Sequence, residues 1–498
     1  MLAADMAVLV DESKIALANQ LKDEGNKLLV LFKYSAAADK YSEAIDLNPS
    51  DPIYYANRAQ ALIKLESFGS AIQDADAAIK LNSGYIKAYY RRASANFNLG
   101  KTKLAKRDFE RVIKIAPNDK DALKKLKACE DTIRKENFLK AIDSDDRDDP
   151  SGGIDISQFV VEPTYNGPRL EDVQSGEQPN VTIEFAMKCV EHFKEEKKIH
   201  KKYVLQILSM AKEHFKETSS LLNLRLPEDP VSKRLLHFTV CGDTHGQFYD
   251  LCNIFENIGG FPSDTNPYLF NGDFVDRGSF SFETVMTLLI FKLACPTALY
   301  MTRGNHETKN MNKIYGFEGE ILHKYDKIVM DYFTGVFNNL PLAAVIQDKV
   351  FVVHGGLSTK GDSPMTLDEV RSLQRNKEPP EDGLMSDLLW SDPQPLTGRF
   401  PSKRGVGFSF GPDYTKSFLE KNNLNYLVRS HEVKQEGYVE EHDGKCITIF
   451  SAPNYCDTMG NKGAFIRFYE DMVPKYTQFD AVQHPNVPPM KYASPLLG

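Results

Sequence analysis

The chain has 498 residues, too long for one ordinary domain, and its 42% apolar content is enough for conventional buried cores in two or three. A formal charge of −8, from 61 basic and 69 acidic residues, argues against a general nucleic-acid binder, which is usually basic. The seven cysteines, at 129, 189, 241, 252, 295, 446 and 456, include no Cys-x-x-Cys pair. Neither a disulfide framework nor a thiolate zinc site is expected, and a reducing compartment fits. The first residues lack a basic segment followed by a long apolar core, and the longest apolar stretch, 284 to 301, is interrupted by Lys292 and Pro296. No secretory signal and no membrane span are expected.

Residues 1–17 read as a short leader, after which a repeat with a period of 34 residues begins. Units 18–51, 52–85 and 86–119 align Leu21 with Tyr55 and Tyr89, Gly25 with Ala59 and Ala93, Ala37 with Ala71 and Ala105, and Ala44 with Ala78 and Val112. Pro49 and Pro117 close the first and third units, with Ser83 at the equivalent place in the second. Small residues at fixed positions let two antiparallel helices approach closely, and larger apolar ones fill the gap to the next unit. The pattern resembles the tetratricopeptide repeat, a helix-turn-helix unit, and implies an all-α N-terminal domain. Lys120 to Lys140 continue as a charged amphipathic helix with Leu123, Leu126, Cys129, Ile133 and Leu139 near one stripe. That helix suits a cap on the last repeat, and the repeat domain is set at 18–142.

Lys22, Asn26, Asn57, Lys87 and Arg91 fall on the first helix of each pair, which lines the concave face of such arrays. These five match the carboxylate clamp of chaperone-binding tetratricopeptide domains. The resemblance implies that they hold both carboxylates of a C-terminal acidic residue by charge-assisted bonds, with a heat shock protein 90 type chaperone tail as the partner. Gly100-Lys101-Thr102 imitates the end of a phosphate-binding loop, but Ala95 stands where that loop needs glycine. The acidic run 143–155 ends in proline and glycine and reads as the core of a linker spanning 143–179. Asn180-Val-Thr182 is formally a glycosylation sequon and carries no weight without a secretory signal.

Residues 183–222 read as helical, with Phe185, Cys189, Phe193, Ile199, Tyr203, Ile207 and Met210 at three- and four-residue steps. From Leu236 the pattern alternates strand, glycine loop and helix, which predicts a layered α/β domain. Three loops follow short apolar runs: Gly-Asp243-Thr-His245-Gly, Gly-Asp273-Phe-Val-Asp276-Arg277-Gly and Gly-Asn305-His306-Glu307. Two more strand-like runs end at His354 and His431. Oxygen and nitrogen donors without thiolates suit manganese, magnesium, iron or zinc. So many donors exceed one tetrahedral site, which predicts two divalent metal ions, manganese or magnesium by preference, with Asp273 as the bridge.

Those three loops, with Ser451-Ala-Pro-Asn-Tyr455-Cys456, resemble the signature of the phosphoprotein phosphatase family of serine/threonine phosphatases over roughly 180–480. The resemblance implies a metallophosphoesterase domain at 180–480, a β-sandwich flanked by helices, which the strand pattern alone does not separate from a doubly wound sheet. It implies Asp243, His245 and Asp273 on one metal, and Asp273, Asn305, His354 and His431 on the other. His306 becomes the proton donor oriented by Asp276, while Arg277, Asn305, Arg404 and Tyr455 contact the phosphoryl group or line its cleft. Phosphoproteins are the expected substrates, and cytoplasm and nucleus the expected location. A metallophosphodiesterase or nucleotidase is the alternative, and the two arginines with the Ser-Ala-Pro-Asn-Tyr-Cys run tell against it. A proline-rich tail is placed at 481–498.

Overall fold

A computed structural model describes residues 2–142, 155–171, 179–360 and 363–493. The core of the expected linker, 143–154, and the last five residues, 494–498, lie outside the described residues. The chain divides into two compact units, the first holding the helices up to Ile142 together with Pro401–Val406, the second holding the remaining described residues.

In the first unit, helices Leu2–Val30, Tyr34–Leu47, Pro52–Lys64, Phe68–Leu81, Ile86–Asn98 and Thr102–Ile115 form three successive antiparallel pairs, and Lys120–Ile142 follows. The first helix starts well before residue 18, so the stretch read as a leader is continuous with the first repeat. Its long-side-chain and alanine composition favours helix throughout. Small residues do what the repeat pattern requires: a Cβ added to Gly25 would stand 2.7 Å from the Tyr41 ring of the neighbouring helix. Ala37, Ala59, Ala71, Ala93 and Ala105 are fully buried. A second periodic feature joins the helices of a pair. Arg58 Nε and one terminal nitrogen donate to the two Asp74 oxygens at 2.8 and 2.7 Å. One repeat later Arg92 does the same to Asp108, at 2.7 Å for both bonds. Among the described side chains of the last helix Ala122, Lys125 and Cys129 are buried, whereas Leu123, placed on the apolar stripe by its spacing, is exposed.

Two large sheets organise the second unit, beside a three-stranded and a two-stranded one. One has six strands in the order Leu221–Leu224, Ala343–Ile346, Val350–Val353, Tyr426–Arg429, Cys446–Ile449, Tyr438–Glu441; the other has five, Lys475–Phe479, Gly463–Phe468, Phe238–Cys241, Tyr268–Asn271, Leu299–Thr302. They pack face to face, Phe238, Val240, Leu269, Ala464 and Ile466 sharing one core with Leu224, Ala344, Ile346, Val350, Val352, Val428 and Ile447. Successive residues point to opposite faces of a strand, so Phe351, Val353 and Leu427 enter a different core under helices Leu384–Trp390 and Pro412–Asn422. On the far side of the five-stranded sheet, helices Ile183–Lys194, Lys201–Lys216, Ser281–Ala294 and Lys327–Asn339 cover Tyr268, Phe270, Leu299 and Met301. This is the sandwich flanked by helices that the family resemblance implies.

Two segments differ from the expectation. The stretch 183–222 is not one helical run: it breaks at Glu196, whose φ is 57°, and restarts where the His200 side chain accepts from the Lys202 amide. It ends at Leu221–Leu224, an edge strand parallel to Ala343–Ile346. Lys475–Phe479, where no strand is expected from the sequence, pairs antiparallel with Gly463–Phe468 and closes the five-stranded sheet. No helix is long and apolar enough to cross a membrane among the described residues.

Replacing Asp74 with Ala leaves the Arg58 guanidinium partly buried without its bidentate partner, and about 1–3 kcal/mol of local stability is lost. Amide hydrogen exchange checks this: exchange in Pro52–Lys64 and Phe68–Leu81 accelerates in the variant, while exchange in the sandwich strands does not change.

Candidate functional site

Phe238–Cys241, Tyr268–Asn271 and Leu299–Thr302 run parallel, so their carboxyl ends lie along one edge. Asp243 and Asp273 sit two residues past their strands and Asn305 three. Val350–Val353, Tyr426–Arg429 and Cys446–Ile449 are also mutually parallel, which delivers His354 and His431 at the corresponding edge of the other sheet. Side chains tie the two edges together. Asn271 Nδ2 donates to Val353 O and Ser430 Oγ, both at 2.8 Å, and the His431 amide donates to Asp243 Oδ1 at 3.1 Å.

The turns that present these groups are tight. His245, Asp273, Asp276, Arg277 and His431 all have positive φ, between 40° and 72°. Non-glycine residues persist in that region only where surrounding bonds over-determine them, and such residues cluster at functional sites. Glu307 supplies much of that determination: its buried carboxylate accepts from the amides of Asp273, Phe274 and Gly304, each at 2.8 Å. The two loops also come close at a pair of glycines, since a Cβ on Gly272 (φ 83°) would stand 2.6 Å from Gly304 Cα.

Two groups of donors share one carboxylate. His245, Asp273 and His306 bring ligand atoms within 4.8 Å of one another, and so do Asp273, His354 and His431; every one of these residues is buried. His245 Nδ1 donates to Val275 O at 3.0 Å and His354 Nδ1 to Asn271 O at 2.9 Å, which leaves each Nε2 with its lone pair. That of His354 faces Asn305 Oδ1 at 2.9 Å, His431 Nδ1 at 3.2 Å and Asp273 Oδ2 at 3.3 Å. That of His245 lies 3.6 Å from Asp273 Oδ2 and 3.7 Å from Asp243 Oδ2. Burial holds both imidazoles below their usual range and pushes the Asp243 carboxyl up to about 7, with Asp273 adding to the rise. Lone pairs converging at these distances in a dry site repel unless positive charge stands among them. The donor set therefore fits divalent cations, whose charge would reverse the upward pressure on the carboxyl groups.

Beside this centre His306 Nδ1 and Asp276 Oδ2 lie 2.8 Å apart. His306 falls within reach of the donor group, but Asp276 takes up its Nδ1. Asp276 also accepts from the Phe317 amide at 2.8 Å and from Asn312 Nδ2 at 3.1 Å, while Asn312 holds His306 O at 2.6 Å. Burial pushes the Asp276 carboxyl up to about 7 against those donors. The Arg277 guanidinium lies 3.8 Å over the Tyr315 ring, and the Tyr455 ring is 5.2 Å from that of His245. Arg404 is on the segment grouped with the first unit. Sequence reading gave no role to Glu307, Asn312 or Tyr315; the last two stand three apart on helix Lys309–Tyr315, a spacing that puts them on one face.

In the first unit Asn26 Oδ1 accepts from Tyr41 OH at 2.8 Å and Asn57 Nδ2 at 3.0 Å, which leaves the Asn26 amide nitrogen as a donor. Arg91 lies 5.4 Å over the Tyr90 ring.

Three family models match the chain: calcineurin-like phosphoesterase over 236–435, tetratricopeptide repeat over 86–119, and PPP5 TPR repeat region over 126–223. Serine/threonine-protein phosphatase 5 of Homo sapiens is 50% identical over 482 residues, covering 96% of this chain and 94% of the relative. The chain belongs to the serine/threonine-protein phosphatase 5 family. Serine/threonine-protein phosphatase T of Trypanosoma brucei brucei is 47% identical, covering 96% of this chain and 98% of the relative. A solved Saccharomyces cerevisiae serine/threonine phosphatase with similarity to human PP5 superposes with a TM-score of 0.59 at 41% identity, over 62% of this chain and 99% of that one. Membership makes this a metal-dependent serine/threonine-protein phosphatase carrying tetratricopeptide repeats.

Glu307→Gln replaces an acceptor of three amide bonds by a group that can satisfy fewer, and metal affinity falls about 10- to 100-fold. Metal content after dialysis against graded chelator checks it, and unchanged retention would show that the anchor does not govern the donors.

Proposed function

We propose that the protein hydrolyses phosphoserine and phosphothreonine at the centre shared by Asp273, in one in-line displacement without a phosphoenzyme. The observation that carries this reading is the sharing of Asp273 between two donor groups with a His306–Asp276 pair alongside. Asp243, His245 and Asp273 would hold one divalent cation, and Asp273, Asn305, His354 and His431 the second. Such a pair supplies charge for the phosphoryl oxygens and makes water acidic enough to attack at neutral pH. Arg277 and Arg404 grip the phosphoryl oxygens, a role for which a planar guanidinium is suited, and Tyr455 lines the cleft. His306 gives its Nε2 proton to the leaving alkoxide as the P–O bond breaks, and Asp276 holds the other ring nitrogen so that the donor faces the substrate. Manganese or magnesium is the favoured occupant, and all seven cysteines are free, in keeping with the cytoplasm and nucleus.

The repeats add a second layer. Lys22, Asn26, Asn57, Lys87 and Arg91 form a clamp for the carboxylates of a heat shock protein 90 type chaperone tail, supported by the fixed Asn26 amide. The repeat unit restrains the catalytic unit at rest, and a tail that prefers the unrestrained form releases it by differential affinity.

His306→Asn keeps the metal but slows hydrolysis of a phosphoserine peptide by about 10²-fold, with much less effect on an aryl phosphate whose leaving group needs no proton. Stopped-flow rates on both substrates decide, and equal slowing would sink the acid role. Cleavage near residue 150 raises the rate on a small phosphate ester, an acidic chaperone tail raises it only in the uncut chain, and Arg91→Ala removes the response to the tail. If cleavage leaves the rate unchanged, the repeats act only as a tether.

A further inference from the structure

The last helix of the first unit buries a charge. Lys125 is only 8% exposed and stands 34 residues after Arg91, itself 34 after Asn57. It therefore occupies, one unit further on, the repeat position that gives the clamp two of its five residues. Its ammonium lies 4.9 Å over the Tyr90 ring, the ring that Arg91 also covers at 5.4 Å. Tyr90 OH donates to Asp121, and the same carboxylate is 3.8 Å from Lys125 Nζ. Asp121 is more than half exposed, so it compensates the ammonium weakly. Arg91, Lys64 and Lys124 meanwhile oppose the Lys125 charge, in the same direction as burial. Burying an ammonium among like charges is costly unless an anion completes the site.

We infer that Lys125 extends the clamp by one repeat and holds an acidic side chain lying upstream of the C-terminal residue of a bound peptide. This rests on the clamp reading, in which the C-terminal residue's two carboxylates engage the five positions already named. The next cation along the array then meets the next acid along the peptide. The Tyr90 ring holds the ammonium in place before binding, so less side-chain entropy is lost when the carboxylate arrives.

The test is isothermal titration of the full-length chain with two acetylated peptides, one ending Glu-Glu-Ala-Asp and one ending Gln-Gln-Ala-Asp. Lys125→Met keeps an unbranched apolar side chain of similar length and removes the charge. It weakens the glutamate peptide about 5- to 10-fold and leaves the glutamine peptide unchanged, while Lys125→Arg retains most of the affinity for the glutamate peptide. Equal weakening of both peptides, or of neither, overturns the inference. Should Lys125→Met lose its helical signal, Lys125→Gln is read by the same pair of peptides. Arg91→Ala separates the two levels: it weakens both peptides if the clamp exists. If it weakens neither, the clamp and its extension fall together, whereas loss of the Lys125 effect alone removes only the extension.

Discussion

The Glu307 carboxylate accepts three amide bonds from two loops, and this anchor allows Asp273 to be shared. Asp273 must hold a left-handed backbone while its side chain faces donors from both sheets. A side chain at Gly304 would displace it, a Cβ there standing 2.2 Å from Asp273 Oδ1. The geometry thus depends on an absence of atoms at two positions and a negative charge at a third. Burial raises the Glu307 carboxyl to about 8 while the amides pull the other way. A cation near Asp273 favours the ionised form further, so ion binding and loop closure support each other.

The remaining polar architecture follows the same logic of fixed donors in a dry place. Asp276 is wholly buried yet accepts from a ring nitrogen, a side-chain amide and a backbone amide. Its neighbours therefore decide its direction before any substrate arrives, which is how preorganised electrostatics avoids reorganisation during reaction. The parallel strands make this affordable: their carboxyl ends deliver five of the six expected ligands within three residues of a rigid element.

Much of this was legible in the sequence because glycine turns after apolar runs mark strand ends, and His, Asp and Asn at those ends have few other uses. The repeat period was legible for a similar reason, alanine at fixed spacing. What escaped depends on partners distant in the chain. Lys475–Phe479 mixes polar and aromatic residues and is recognisable as a strand only beside Gly463–Phe468. Leu221–Leu224 is four residues long and follows a helix without a glycine or proline signal. Asn312 reads as an ordinary helical amide until its contact with Asp276, 36 residues away, is seen. Lys125 escaped because hydropathy alone assigns lysine to water, whereas an ammonium over an aromatic ring can lie inside. The Arg58–Asp74 and Arg92–Asp108 pairs did leave a trace, arginine and aspartate each recurring at 34 residues.

The order of strands in the sandwich bears on how the protein is made. Phe238–Cys241 lies between Tyr268–Asn271, which follows closely, and Gly463–Phe468, more than two hundred residues later. The repeats close on local contacts and can form as they leave the ribosome, whereas the five-stranded sheet waits for its last two strands. During that interval the edge of Phe238–Cys241 is an open template, four apolar or β-branched residues with unpaired amides. Nascent catalytic units on one message are then more exposed to mispairing with each other than nascent repeats are.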